Sequence, residues 1–246
     1  MGYSLAGRYV NCWACGPHGL VETLVAASER PWREIKALLG DLASKPVPER
    51  PRGTLILPKG VGPLLPAHVK YLKRRGFDPD EIIKVWRVQG LGLVPDLRWR
   101  LFIPIYHQGE VVSWTTRSIS DTHSLRYRSA GLLEESLPHK ELLYGEDYVR
   151  HCVLVQEGPL DAWRIGPGAV ATCGTGFSRA QVNRLSRFPV RVVCFDNEPE
   201  AQKRARQLCD LLEVFPGETY NVRFSAKDAS RSSEREIRRL RRTFLE

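Results

Sequence analysis

Short apolar runs in the last third of the chain are each followed by a segment with helical spacing. CVLVQ (152–156) precedes PLDAWRIG (159–166), and GAVATC (168–173) precedes SRAQVNRLSRF (178–188). VRVVCF (190–195) then precedes PEAQKRARQLCDLLEVF (199–215), and TYNVRFS (219–225) precedes SEREIRRLRRTFLE (233–246). Strand alternating with helix in this order predicts an α/β domain, a parallel sheet with flanking helices, over 151–246. Residues 54–150 have a different pattern. HVKYLKRRGFDPDEIIKV (68–85) reads as two short helices broken at Gly76–Pro79. WRLFIPIY (99–106), the turn HQGE (107–110) and VVSWTTRSI (111–119) read as a β-hairpin with Gly109 in its turn, followed by LRYRS (125–129). Residues 1–44 hold GLVETLVAAS (19–28) and PWREIKALLGDLA (31–43), both helical, with Pro31 at a helix start. Between them and the second block, Pro46, Pro48 and Pro51 make 45–53 an extended linker.

Composition narrows the class. No apolar run is long enough to span a bilayer, and the first twenty residues lack the order of a signal peptide, so a cytoplasmic protein with no membrane partner is expected. The net charge of +9 favours a polyanionic partner such as nucleic acid or nucleotides. Cys152, Cys173, Cys194 and Cys209 lie in apolar segments and read as free thiols rather than a disulfide frame. Cys12 and Cys15 form a C-x-x-C pair, half of a common zinc site.

In an open parallel sheet, sites form outside the carboxyl ends of the strands. Glu157, Gly158 and Asp161 follow the first strand, and a Gly174–Gly176 turn follows the second. Asp196 and Glu198 follow the third, and Lys227 and Asp228 the fourth. Acids after strands can simply cap the next helix. Their coincidence at three strand ends instead predicts hard oxygen ligands for Mg²⁺ or Mn²⁺, with two ions serving phosphoryl or nucleotidyl transfer or phosphodiester cleavage.

EGPLD, CGTG, VCFDNE and AKD, in that order, resemble the TOPRIM domain. The resemblance implies catalytic roles for Glu157, Asp161, Asp196 and Glu198, with Glu157, Asp196, Glu198 and Asp228 as metal ligands. Glu198 stands where the family usually has Asp, and Ser230 where it often has a further acid. Upstream, RLFIPIYHQGEVVSWTTRSI, LRYRSA, HKELLYG and KYLKRRGFDPDEIIKVWRVQG resemble the segment before TOPRIM in DnaG-type bacterial primases. CWACG followed by a helix resembles the second knuckle of the primase zinc ribbon, whose first half is missing; Cys12 and Cys15 are then candidate Zn²⁺ ligands, with His18 as a third.

The expectation is a zinc-ribbon-like knuckle with helices over 1–44, a linker over 45–53, an α+β template-binding subdomain over 54–150 and a TOPRIM catalytic domain over 151–246. The implied activity is synthesis of short RNA primers on single-stranded DNA from ribonucleoside triphosphates. The implied setting is a bacterial cell or a phage-encoded system. A replicative helicase or other replisome protein is a candidate partner, although the chain ends about one helix after Asp228, before the usual helicase tether. A primase needs a basic groove with aromatic platforms, and Lys73, Arg74, Arg75, Arg98, Arg100, Arg117, Arg126, Arg128 and Lys140 offer the charge. Arg117, Tyr127, Arg128, Lys140 and Lys227 are the candidates for template or nucleotide contact, while Tyr106 and Trp114 read as core. The rivals are a TOPRIM nuclease on DNA or RNA and a non-catalytic nucleic-acid-binding relic. Metal analysis tests the knuckle: stoichiometric zinc that Cys12→Ser removes would establish the site, whereas a zinc-free protein should prime with less sequence selectivity than relatives with the whole ribbon.

Overall fold

A computed structural model describes residues 2–4, 9–12, 16–39, 53–94, 96–120, 125–174 and 176–246. The chain divides into two compact units, Met1–Pro51 and Arg52–Glu246. In the first, β1 (Gly2–Ser4), β2 (Tyr9–Cys12) and β3 (Gly16–Gly19) form an antiparallel sheet in which Cys12 pairs with Gly16. Two helices follow, α1 (Leu20–Ser28) and α2 (Trp32–Leu39), and Val10, Val21 and Ile35 are buried. The zinc expectation lies outside the described residues, since Cys15 and the side chains of Cys12 and His18 are not among them. Residues 45–52 of the linker lie outside them too.

The second unit begins with a five-stranded antiparallel sheet and two helices. In chain order these are β4 (Val61–Gly62), α3 (Pro66–Arg74), α4 (Pro79–Trp86), β5 (Gln89–Leu91), β6 (Arg100–His107), β7 (Glu110–Ser118) and β8 (Tyr127–Ser129). Both helices open on proline, and the Asp78 carboxylate accepts from Asp80 N–H at 3.0 Å to cap α4. The expected hairpin turn is Gln108–Gly109, with φ of +55° and +83°, the left-handed pair that suits strand twist. Asp147 accepts from both turn amides, at 3.1 and 2.8 Å. Buried His68 joins α3 to β5: Leu65 N–H donates to its Nδ1 at 3.0 Å, and its Nε2 lies 3.2 Å from Leu91 O. Gly90 permits this approach, because a Cβ there would fall 2.8 Å from His68 Nδ1. The sequence reading missed β4 and β5, which have two and three residues, too few to show an alternation.

The rest of this unit is β9 (Cys152–Gln156), α5 (Pro159–Ile165), β10 (Ala169–Ala171), α6 (Arg179–Leu185), β11 (Val190–Val193), α7 (Pro199–Leu212), β12 (Glu218–Asn221) and α8 (Glu234–Phe244). The four strands are parallel, in the order β10-β9-β11-β12, so the expected α/β class with a parallel sheet and flanking helices is the one observed. Alternate strand residues serve opposite faces. Val153, Val155 and Val193 meet Val182, Leu185 and Leu208 of α6 and α7. Leu154 and Val192 share a cluster with Leu160 and Trp163 of α5, Ile237 and Leu240 of α8, and Leu101, Ile103 and Ile105 of β6. The antiparallel and parallel sheets are therefore joined by one apolar core. Trp86 stacks on Tyr144 at 5.4 Å within it, and Trp163 Nε1–H donates to the Tyr144 hydroxyl at 2.7 Å. Trp114 is fully buried, as read from the sequence; Tyr106 is half-buried.

Arg100 departs from its expected place in a basic groove. Arg100 is 1% exposed, and its guanidinium donates to Leu125 O at 2.7 Å and Arg126 O at 3.2 Å, so it holds the approach to β8 in place. Among the described residues, no helix is long and apolar enough to cross a membrane.

A shared core makes Arg52–Glu246 one cooperative unit. Leu154→Ala, at a fully buried position, should destabilise it by about 2–5 kcal/mol and leave a single transition in urea that far- and near-UV circular dichroism both report. Two separated transitions within Arg52–Glu246 would contradict the shared core.

Candidate active site

The carboxyl ends of β9, β11 and β12 open on a cleft of about 310 Å³. Glu157, Asp161, Asp196 and Asp228 line it, together with Arg75, Arg117, Arg126, Tyr127, Lys227 and Arg231. One wall is thus carboxylate-rich. The facing wall comes from the antiparallel sheet, and its composition follows from strand alternation. Thr115 and Arg117 of β7 pair with Ser129 and Tyr127 of β8, and Thr115 and Arg117 lie opposite Ile103 and Leu101 of β6. All four side chains of this β7–β8 set line the cleft. The Arg117 guanidinium lies 4.8 Å over the Tyr127 ring, and its Nε–H donates to the Tyr71 hydroxyl at 3.3 Å. Burial pushes the Tyr127 phenol well up, so it stays neutral.

The acids are crowded and partly removed from water. Burial first, then the neighbouring Asp196 charge, raises Glu157 to about 7. Burial, then Asp228 and Asp196, raises Asp161 to about 7. Burial, then Asp228 and Glu198, raises Asp196 to about 6. The loops that carry them are stitched together. Asp196 N–H points to Glu157 Oε1 at 3.4 Å, and Gly174 N–H donates to Glu157 O at 3.2 Å. Asn197 N–H donates to Lys227 O at 2.6 Å, joining the turns after β11 and β12. Buried Gln202 donates to Phe195 O and Asp196 O, at 3.2 and 3.0 Å. Asp228 Oδ1 accepts from Ser230 Oγ at 2.8 Å and Arg231 N at 2.9 Å, and Ser230 N–H donates to Asp161 Oδ1 at 3.0 Å.

No family model matches the chain. It is 26% identical over 173 residues to the uncharacterized protein MG010 of Mycoplasma genitalium, a match covering 65% of this chain and 76% of that protein. Among solved structures it is similar to the Aquifex aeolicus primase (zinc-binding and RNA polymerase domains), with a TM-score of 0.61 and 18% identity over 98% of this chain and 74% of that one. The DnaG catalytic core aligns with a TM-score of 0.55 and 17% identity, over 73% of this chain and 70% of that one. The primase fragment of the bacteriophage T7 primase-helicase aligns at 0.53 and 15%, over 95% and 89%. The chain has the fold of a DnaG-type primase.

Within this primase fold, the structure sorts the residues singled out in the sequence. Glu157, Asp161, Asp196, Asp228, Arg117, Tyr127 and Lys227 come together in the cleft. Glu198 is exposed and turned to Lys227, with Oε1 2.5 Å from Nζ; that hydrogen bond lowers its carboxyl below the ordinary value. Arg128 is next to Tyr127 in β8 and so faces the other side, lying 5.4 Å over the Trp114 ring and 3.7 Å from Glu134. Lys140 Nζ donates to Cys173 O at 2.7 Å, supporting a turn in which Cys173 has φ +55°. Gly174 makes room for it, since a Cβ there would stand 2.6 Å from Nζ. Among the described residues, no three His, Cys, Asp or Glu side chains form a group that could hold a metal ion as they stand. The gathering of five acids expected from the sequence is therefore looser: Glu198 turns to Lys227, and Asp228 to Ser230 and Arg231. Arg75, Arg126, Ser230 and Arg231 line the cleft without having been chosen from the sequence. Arg75 and Arg126 were visible there only as members of a basic set.

The raised carboxyls of Glu157, Asp161 and Asp196 tie stability to pH. Each acid binds its proton more tightly when folded, so this contribution to stability is complete below the unfolded values near 4 and lost as pH rises through about 6–7. In EDTA, the thermal midpoint should fall between pH 5 and pH 8, and Asp161→Asn should flatten that fall. Mg²⁺ added at pH 8 should restore part of the lost stability. A wild-type midpoint independent of pH over this range would contradict the crowding.

Proposed function

We propose that the protein is a DNA-dependent primase that joins ribonucleotides on a single-stranded DNA template. The observation that carries this reading is the cleft, in which four carboxylates beyond the ends of parallel strands share the lining with Arg117 and Tyr127 of the antiparallel sheet. Its support in fold comes from the primase structures similar to this chain. Proteins that hold single strands combine a positive groove with aromatic platforms, and the Arg117–Tyr127 stack is of that kind. Arg75, Lys227 and Arg231 sit beside the acids, where they would hold the phosphates of an incoming triphosphate. Lys227 would exchange its exposed partner Glu198 for phosphate, since such a pair is weakly held in water.

The donor set fits hard divalent cations. Glu157, Asp161 and Asp196 are carboxyls raised by burial and then by neighbouring acids, Asp228 and Glu198 among them, so a cation there relieves the repulsion. Glu157, Asp161, Asp196 and Asp228 would hold Mg²⁺ or Mn²⁺, with Glu198 nearby as an exposed further ligand. Bound there, the ions would supply activation of the attacking oxygen and charge neutralisation at the departing one. The protein's own part is to hold the carboxylates in place from the stitched loops and to orient the phosphates with Arg75, Lys227 and Arg231.

Incubation with single-stranded DNA, labelled ribonucleotides and Mg²⁺ or Mn²⁺ tests this. Wild type should make short oligoribonucleotides, and Asp196→Ala should reduce synthesis by about 10²-fold or more, the scale for removing one preorganised charge-stabilising group. Arg117→Ala should weaken single-strand binding, while Arg128→Ala, on the opposite side of β8, should not. Strand cleavage with no synthesis would overturn the primase reading in favour of a nuclease.

A further inference from the structure

Ser230 stands at the junction of three loops. It is 8% exposed, on the one-turn helix after Asp228 (Ala229–Arg231). Its amide donates to Asp161 Oδ1 at 3.0 Å, and its hydroxyl donates to Asp228 Oδ1 at 2.8 Å. Arg75, from the loop between α3 and α4, donates to the same hydroxyl oxygen at 3.1 Å. A hydroxyl has one hydrogen to give and can accept as well, so Ser230 can serve a carboxylate and a guanidinium at once. Neither a carboxylate nor an apolar side chain could do both at neutral pH.

The main chain around Ser230 is held from the other side. Arg164 of α5 donates to Ser230 O at 3.2 Å, to Arg75 O at 2.9 Å and to Gly76 O at 3.2 Å, while its guanidinium lies 4.7 Å over Phe77. One cation therefore clamps the loop that carries Asp228 to the loop that carries Arg75. Between them stands a single buried hydroxyl.

We propose that Ser230 is a positioning residue for the divalent-ion ligands: its hydroxyl, polarised by Arg75, fixes the Asp228 carboxylate while its amide fixes Asp161. The inference deepens the reading of these acids as ion ligands and rests on it. Outer hydrogen-bond partners of this sort set the orientation of the groups that touch the ion, and their loss weakens ion binding by 10–100-fold. Arg231 N–H also donates to Asp228 Oδ1, at 2.9 Å, and a change of the Ser230 side chain leaves that backbone donor in place, so the low end of that range applies.

The test is Mn²⁺ binding by the full chain, read from the electron paramagnetic resonance signal of free Mn²⁺, with primer synthesis measured in parallel. Ser230→Ala keeps the backbone N–H hydrogen bond to Asp161 and removes both hydroxyl hydrogen bonds; it should weaken Mn²⁺ binding about tenfold. Ser230→Thr keeps the hydroxyl and should bind within about twofold of wild type. Ser230→Cys keeps the size but offers only a weak donor and a soft sulfur, so it should behave like Ser230→Ala even if the smaller side chain proves unstable. Wild-type affinity in Ser230→Ala or Ser230→Cys would overturn the proposal, as would equal losses in Ser230→Ala and Ser230→Thr. Mn²⁺ binding by wild type without primer synthesis would overturn the primase reading alone, and wild type that binds no Mn²⁺ would overturn both.

Discussion

The mutual repulsion of carboxylates at the ends of adjacent parallel strands is the constraint on which the rest of this site depends. β9 and β11 are neighbours with Val155 paired to Val193, so the turns after them bring Glu157 and Asp196 together, with Asp196 N 3.4 Å from Glu157 Oε1. The turn after β12 brings in Asp228, and the first turn of α5 brings in Asp161. Burial first, and the neighbouring acids second, make three of the carboxyls hold protons to unusually high pH. Much of the surrounding structure answers the repulsion. Backbone amides of Asp196, Ser230 and Arg231 point at the carboxylates, while Arg75, Lys227 and Arg231 supply positive charge.

The wall of Arg117 and Tyr127 is placed by a second sheet rather than by the one that bears the acids. Leu101, Ile103 and Ile105 of β6 anchor that sheet into the core of the parallel one. Once that side of β6 is committed, the cross-strand partners of Leu101 and Ile103 are committed with it. Arg117 and Thr115 must then face the acids, and Tyr127 and Ser129 beside them. The primase fold therefore sets two chemically opposite surfaces across a small cleft by means of apolar contacts beneath them.

The same rule explains which site residues were legible. Tyr127 and Arg128 looked equally suitable in sequence, but consecutive strand residues cannot share a face, and β8 turns Arg128 toward Trp114. Lys140 found a local use, the Cys173 carbonyl of a left-handed turn. Arg100 looked like groove charge and is buried structure instead. Ser230 read as a missing acid; in three dimensions it is a bridge between acids and a guanidinium contributed by a residue 155 positions away. None of these outcomes leaves a mark in local composition, because each depends on a partner remote in the chain.

The sequence by itself determined the alternation of strand and helix, the α/β class and the acids at the strand ends, because apolar periodicity and strand-end position are local properties. It also determined the hairpin whose turn demands left-handed backbone at Gly109. Only the tertiary structure decided that β9 lies beside β11, that Glu198 turns outward to Lys227, and that Arg117 rather than Arg128 meets the acids. Strand order and the choice of face are settled by which apolar surfaces bury one another, and that competition runs over the whole unit rather than along any stretch of it.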